Sequence, residues 1–333
     1  MKKHIVKAIP LFFATFLISA CGNTMTAEEQ TTGRGAGNYY PVSIQVYTDE
    51  GKTVTQTIKQ EPKKVVVIGE AMAELMIGFG LQEKVVGVGY LDQSLSKYAE
   101  QIAQMPVISK LWPSKEAVIA LQPDLIYSLS SALKEDRVGD FSFWKERGIP
   151  VISAANFTVG RSIEEYFKDI KNFGIVFHVE NQTEAYVKEQ NERFDQIKKI
   201  ASTAKTKPKV LFIAGAGREN YDYYPPSWCL IDEMIEGAGG EYMQLSKQGV
   251  EMSLESIIAA NPEKIIVSEF QKTDREAIRN KLLSNQKLQN IQAIKTGNVM
   301  VADYTNAVRG SLQLADLYED VAAFIHPELF GGK

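Results

Sequence analysis

The chain has 333 residues, 44% hydrophobic and 23% charged, the balance of a soluble globular protein long enough for two cores of ordinary domain size. Its 37 basic and 41 acidic residues give a formal charge of −4; without Lys2, Lys3 and Lys7 the count is 34 against 41, or −7. An acidic chain with no long basic run argues against nucleic acid as its main partner.

The first twenty residues read as a lipoprotein signal peptide. Lys2, Lys3 and Lys7 form a positive start, residues 8–18 are apolar, and Ile18-Ser19-Ala20-Cys21-Gly22 places small residues ahead of a cysteine, like a bacterial lipobox. The implied chemistry is a thioether to diacylglycerol at Cys21 and cleavage before it. At about 0.8 kcal/mol per buried CH₂, two or more acyl chains hold a protein stably on a membrane. The alternative is a secreted protein whose cysteine happens to follow its signal. Residues 22–38 contain no Leu, Ile, Val or aromatic residue, so 21–40 is expected to be a flexible tether. Only Cys229 then remains. It excludes an internal disulfide, and its setting, Trp228-Cys229-Leu230-Ile231, suits a buried, inert thiol.

Alternating runs at 42–47 and 53–58 around Asp49-Glu50-Gly51 predict a hairpin. From Pro62 onward the pattern changes. Fully apolar strands are expected at 65–68, 85–88, 125–129 and 151–152, with helices at 71–77, 114–121 and before Gly148 between them. That alternation indicates parallel sheet covered on both faces. Residues 162–204 break the rhythm with a charged, helix-favouring stretch. Within it, apolar positions 187, 194, 197 and 200 predict one long helix, a stiff strut between lobes. After Pro208 the pattern restarts with a strand at 210–214 and a helix at 230–236.

One motif occurs twice. Ser114, Glu116, Ile119, Ala120 and Pro123 recur 139 positions later as Ser253, Glu255, Ile258, Ala259 and Pro262, and each copy leads into an apolar strand. A looser echo, E-[LM]-x-x-G-x-G, pairs Glu74, Gly78 and Gly80 with Glu233, Gly237 and Gly239. A period this long points to two similar lobes rather than a solenoid. Ser114 and Ser253 are candidate N-caps, and a glutamate in the first turn suits the helix dipole. Two glutamates at matching places also suit a symmetric partner.

Enzyme signatures are thin. The chain has no phosphate-loop motif and no nucleophile elbow, and Gly87-Val88-Gly89 and Gly215-Ala216-Gly217 lack the third glycine of a dinucleotide fingerprint. His178 and His326 have no Cys, Asp or second His at ligand spacing, so packing or capping is expected of them and no metal site. In parallel α/β lobes ligands sit beyond the carboxyl ends of strands. That rule selects Tyr90, Lys110, Trp112, Tyr304 and Arg309, and above all the run 218–228, with Arg218, Tyr221, Tyr223 and Trp228. Aromatic rings and guanidinium groups together make a surface for a large, partly aromatic or anionic ligand.

The lipobox, the hairpin, Pro62-Lys63-Lys64-Val65, Ala73-Glu74-Leu75 through Gly80, and the Glu116 and Glu255 segments resemble class III substrate-binding proteins of ABC importers. The resemblance covers nearly all of the chain after residue 41. It implies an α/β fold of two Rossmann-like lobes with parallel sheets, divided as 41–180 and 205–333, joined by one interlobe helix at 181–204, with the ligand cleft between them. It implies that Glu116 and Glu255 dock onto arginines of a permease dimer that works with ATPase subunits. The expected protein is a monomer and not an enzyme, needs no cofactor, and is lipid-anchored on the extracytoplasmic side of the cell membrane. Its favoured ligand is a ferric siderophore, with cobalamin or haem next. Lys110, Arg218 and Arg309, joined by Arg137 or Arg161, would supply the cations that catechol-binding members use. Trp112 and the 221–228 run would supply the aromatics of hydroxamate and cobalamin members, and Tyr90, Tyr221 or Tyr304 an iron ligand for haem. A metallocluster oxidoreductase sharing this plan would need several cleft cysteines. An adhesin or sensor lipoprotein is the distant alternative.

Overall fold

The computed structural model describes residues 39–331 except 93–94, 156–158 and 218–219. The expected signal peptide, Cys21 and residues 21–38 of the expected tether lie outside the described residues, as does Arg218.

The hairpin forms as the alternation predicts. Val42–Tyr47 pairs antiparallel with Thr53–Ile58, Val42 opposite Ile58, and Val42, Ile44 and Val46 turn inward. Two parallel sheets follow. The first has the order Val107–Ser109, Val85–Gly89, Val65–Ile68, Leu125–Leu129, Val151–Ala154. The second has the order Glu241–Tyr242, Lys209–Ile213, Lys264–Val267, Val299–Val301. The apolar run Val65–Ile68 is buried throughout because the sheet is covered on both faces. Val65 and Val67 join the large core that reaches Leu211 and Ile265 of the second sheet, while Val66 and Ile68 pack with Trp144 and Val118 on the other side. A small antiparallel sheet, Val250–Ser253, Asn220–Tyr223 and Gly215–Ala216, stands beside the second parallel sheet.

The stretch 162–204 is two helices, Ile163–Phe177 and Glu180–Ala201. His178 divides them in the left-handed conformation (φ 56°), its ring stacked on Tyr39 at 3.7 Å between centroids. The longer helix buries Thr183, Val187, Gln190, Phe194, Ile197 and Ala201, one stripe at spacings of three and four. It is gripped from both halves of the chain. Phe194 meets Phe167 at 6.0 Å and Tyr318 at 5.2 Å, and Arg193 bridges Asp316 (2.7 Å) and Glu319 (3.1 Å).

The first glycine of each echo, Gly78 and Gly237, is required for the same reason. A Cβ on Gly78 would lie 2.0 Å from Leu312 Cδ1, and one on Gly237 would lie 1.8 Å from the Tyr318 hydroxyl. Each lets a neighbouring segment close on a short helix of its own half.

Candidate functional site

The carboxyl ends of the first sheet's strands open onto a cavity of about 210 Å³. Met72, Tyr90, Leu129, Ser130, Ser131 and Ala154 reach it directly after their strands, and Tyr224, Trp228, Tyr304, Val308 and Arg309 close it from the second half. This is where the parallel-sheet rule places a ligand.

Its wall is a continuous aromatic chain. Trp112 stacks flat on Tyr90 (3.5 Å, 7°), Tyr90 meets Phe270 (5.6 Å), and Phe270 meets Tyr304 edge-on (5.5 Å). The Tyr304 and Tyr224 hydroxyls lie 3.1 Å apart, and Tyr224 meets Trp228 at 6.0 Å. Burial raises the phenols of Tyr304 and Tyr224 above their ordinary range. Both are therefore neutral hydrogen-bonding groups near pH 7 rather than phenolates.

Two arginines reach the cavity, and both are engaged. Arg309 donates from Nε to Asp92 Oδ2 at 2.9 Å, where the Thr305 hydroxyl also donates at 2.8 Å. Its guanidinium lies 5.4 Å from the Tyr90 ring centre and 5.7 Å from that of Tyr304. Arg161 pairs with Asp169 at 2.7 Å and donates from Nε and a terminal nitrogen to the Arg309 carbonyl. Its own N–H donates to the Ser227 carbonyl at 2.6 Å. These contacts tie together segments of the two halves at the cavity.

Of the residues selected from sequence, Tyr90, Trp228, Tyr304 and Arg309 line this cavity, and Trp112 backs Tyr90. Lys110 projects its side chain to solvent, and its carbonyl accepts from the Leu91 N–H (3.2 Å). Arg137 stands over the Trp112 ring at 5.0 Å. Tyr221 and Tyr223 must be corrected: both are core residues, 1% and 0% exposed. In the strand Asn220–Tyr223 burial alternates, so these rings share the inward face and Asn220 and Asp222 the outward one. Tyr224, just past the strand, is the one that turns into the cavity. Phe270, just past the strand Lys264–Val267, was not among the residues selected from sequence, yet it joins this aromatic chain.

The two motif copies present matching surfaces. Ser114 caps Lys115–Ala120, its hydroxyl accepting from Ala117, and Ser253 caps Leu254–Ala260, accepting from Ser256. Val118 and Ile257 are fully buried, whereas Ile119 and Ile258 are each 39% exposed beside the exposed Glu116 and Glu255. Both glutamates have lowered pKa values, through their own backbone N–H and the capping serine, so both are charged at neutral pH.

Among the described residues no group of three His, Cys, Asp or Glu is placed to hold a metal ion. Cys229 is fully buried, and burial pushes its thiol well above its usual range.

The chain is similar to known binding proteins. The family model "Periplasmic binding protein" matches residues 65–304. An ABC transporter substrate-binding lipoprotein of Bacillus subtilis is 25% identical over 332 residues, 99% of each chain. A cobalamin-binding protein of Halobacterium salinarum is 26% identical over 310 residues, 89% of this chain and 79% of its own. The crystal structure of a periplasmic binding protein from Veillonella parvula superposes with a TM-score of 0.74 at 19% identity, covering 87% of this chain and 93% of that one.

Proposed function

This chain belongs to the periplasmic binding protein family, and from that premise we propose that it is the substrate-binding lipoprotein of an ABC importer whose cargo is a metal chelate of low net charge. The observation that carries the reading is the cavity itself: four aromatic rings line it within a chain of six, and its two arginines are each held by a carboxylate. Rings supply broad contact to a large chelate at small entropic cost. A cavity of about 210 Å³ is below the ~300–1,000 Å³ of pockets that swallow a ligand, so a bulky chelate rests across it with one edge inserted.

A corrinoid and a neutral ferric hydroxamate siderophore both fit that chemistry. The likeness to a cobalamin-binding protein supports the first. A trianionic ferric catecholate would want unpaired cations, which the cavity's two arginines do not offer. A haem would want a phenolate or imidazole; no histidine is among the described residues lining the cavity and burial holds the Tyr304 and Tyr224 phenols neutral, so Tyr90 is the expected iron ligand that remains.

In this reading Cys21 carries the lipid, 21–40 is the tether, and the protein works as a monomer outside the membrane. Glu116 and Glu255 meet the two permease subunits, a pseudo-twofold carrier on a twofold transporter. ATP is hydrolysed by separate subunits, and the cargo leaves chemically unchanged.

The test is native mass spectrometry of protein purified from its own cells, with fluorescence titration by cyanocobalamin, ferrichrome and haemin. Trp228 lines the cavity and Trp112 backs it, so a seated chelate should quench strongly. Saturable quenching by cyanocobalamin or ferrichrome at micromolar or tighter affinity is expected. Binding of haemin alone, or of none of the three, would sink the proposal.

A further inference from the structure

Asp92 lies just past the strand Val85–Gly89 and two residues beyond Tyr90, with its side chain fully buried. Its partner Arg309, from the other half of the chain, keeps 16% of its side chain exposed at the cavity wall. Arg309 and Arg161 are the charged residues among the described residues lining that cavity.

We propose that Asp92 is the charge filter of the cleft: without touching the ligand, it cancels Arg309 and so sets which chelates are admitted. The inference rests on the reading that this cleft holds a chelate. Geometry separates it from a purely structural role. One oxygen, Oδ2, takes both donors, Arg309 Nε and the Thr305 hydroxyl, while Oδ1 is buried with no hydrogen-bond partner among the described residues. Among the described residues the carboxylate's hydrogen bonds all converge on Oδ2, so the charge it brings falls on Arg309 at the cavity wall.

The consequence is electrostatic. In a poorly polarisable pocket a bare guanidinium acts over several ångströms, far beyond its hydrogen bonds. It would draw in polyanionic chelates in preference to neutral ones. A carboxylate at 2.9 Å reduces the pair to a dipole whose field falls off quickly. What remains facing the ligand is Arg309 in cation–π contact with both Tyr90 and Tyr304, an amphipathic surface of no net charge. The cleft then ranks ligands by shape and ring contact.

The test compares Asp92→Asn with the wild type in fluorescence titrations against ferrichrome, which is neutral, and iron(III) tris-catecholate, which is trianionic. The variant keeps an acceptor for Arg309 and Thr305 but removes the charge. The ratio of tris-catecholate to ferrichrome affinity should rise at least about tenfold, and Asp92→Asn/Arg309→Gln should return it to the wild-type value. Asp92→Ser serves as a second uncharged variant. An equal loss for both probes marks Asp92 as a structural tie and overturns the filter, as does failure of both single variants to fold. If the wild type binds no neutral chelate, the proposed cargo is wrong; the filter is then judged on tris-catecholate alone, and no gain in the variant overturns it.

Discussion

The indole of Trp112 lies parallel to the Tyr90 ring at 3.5 Å between centroids, so the residue that borders the cavity is braced by one behind it. Tyr90 needs the brace. Its backbone is left-handed (φ 55°), a conformation unfavourable for a bulky side chain, and the Tyr90 N–H to Leu111 carbonyl bond (3.1 Å), the Trp112 stack, Phe270 and the Arg309 guanidinium all hold it there. Trp112→Ala is expected to weaken chelate binding by roughly 2–10-fold, the equivalent of about 0.5–1.5 kcal/mol for one stacked pair. Titration with the chelate that the wild type binds checks this. An unchanged affinity would show that Tyr90 holds its place without the stack.

Glu74 predicts a pH dependence of stability. It is fully buried in the helix Glu70–Gly78, and burial pushes its carboxyl up to about 8, with Asp303 and Glu70 adding to the shift and the Ser96 and Ser311 hydroxyls opposing it. The unfolded chain releases that proton near 4.5, so the folded state holds the extra proton between about 4.5 and 8. Stability from this group is therefore complete below about pH 4.5 and is lost as pH rises through about 8. Asp232, raised to about 6 chiefly by burial, acts in the same sense over a lower window. Urea unfolding at about pH 5 and about pH 8.5 should show a loss on the order of 1–3 kcal/mol in the wild type, and a smaller loss in Glu74→Gln. Equal slopes in the two proteins would count against a neutral Glu74.

The docking proposal makes a third prediction, independent of the cargo. Glu116→Ala with Glu255→Ala removes two exposed charges from first helical turns, so the fold should persist with a small loss of stability, and chelate affinity should stay within measurement error. Uptake by cells carrying only this variant should fall to background, and each single variant should fall between. Normal uptake by the double variant would show that the matched glutamates serve only their helix termini.

Much of the architecture was legible in the residues because it rests on local rules. The hairpin follows from alternation at Val42–Tyr47 and Thr53–Ile58, and the parallel sheets from short apolar runs such as Val65–Ile68, whose two faces are both covered. The Glu116 and Glu255 surfaces were legible for a different reason: a duplicated motif repeats its caps, its buried Val118 and Ile257, and its exposed Ile119 and Ile258 together. The break near 178 was legible only as the start of the helix expected at 181–204, which runs Glu180–Ala201; its cause was not. Residues 162–204 favour helix throughout, and the turn between the two helices is made where Tyr39, far away in sequence, stacks on that ring.

The cavity shows the limit most sharply. Residue types alone placed a cluster of rings at 221–228 and set Tyr90, Tyr304 and Arg309 past strands. Strand alternation forces Tyr221 and Tyr223 to the same face, but which face is the core depends on the sheet they join, and only tertiary structure sent both inward and left Tyr224 to the ligand side. Charge was decided the same way. Arg309 reads as a free cation in the chain and becomes half of an ion pair only because folding brings Asp92, 217 residues away, within 2.9 Å. Side-chain type and period are written locally, whereas neutralisation is a property of distance, and distance between remote residues exists only in the fold.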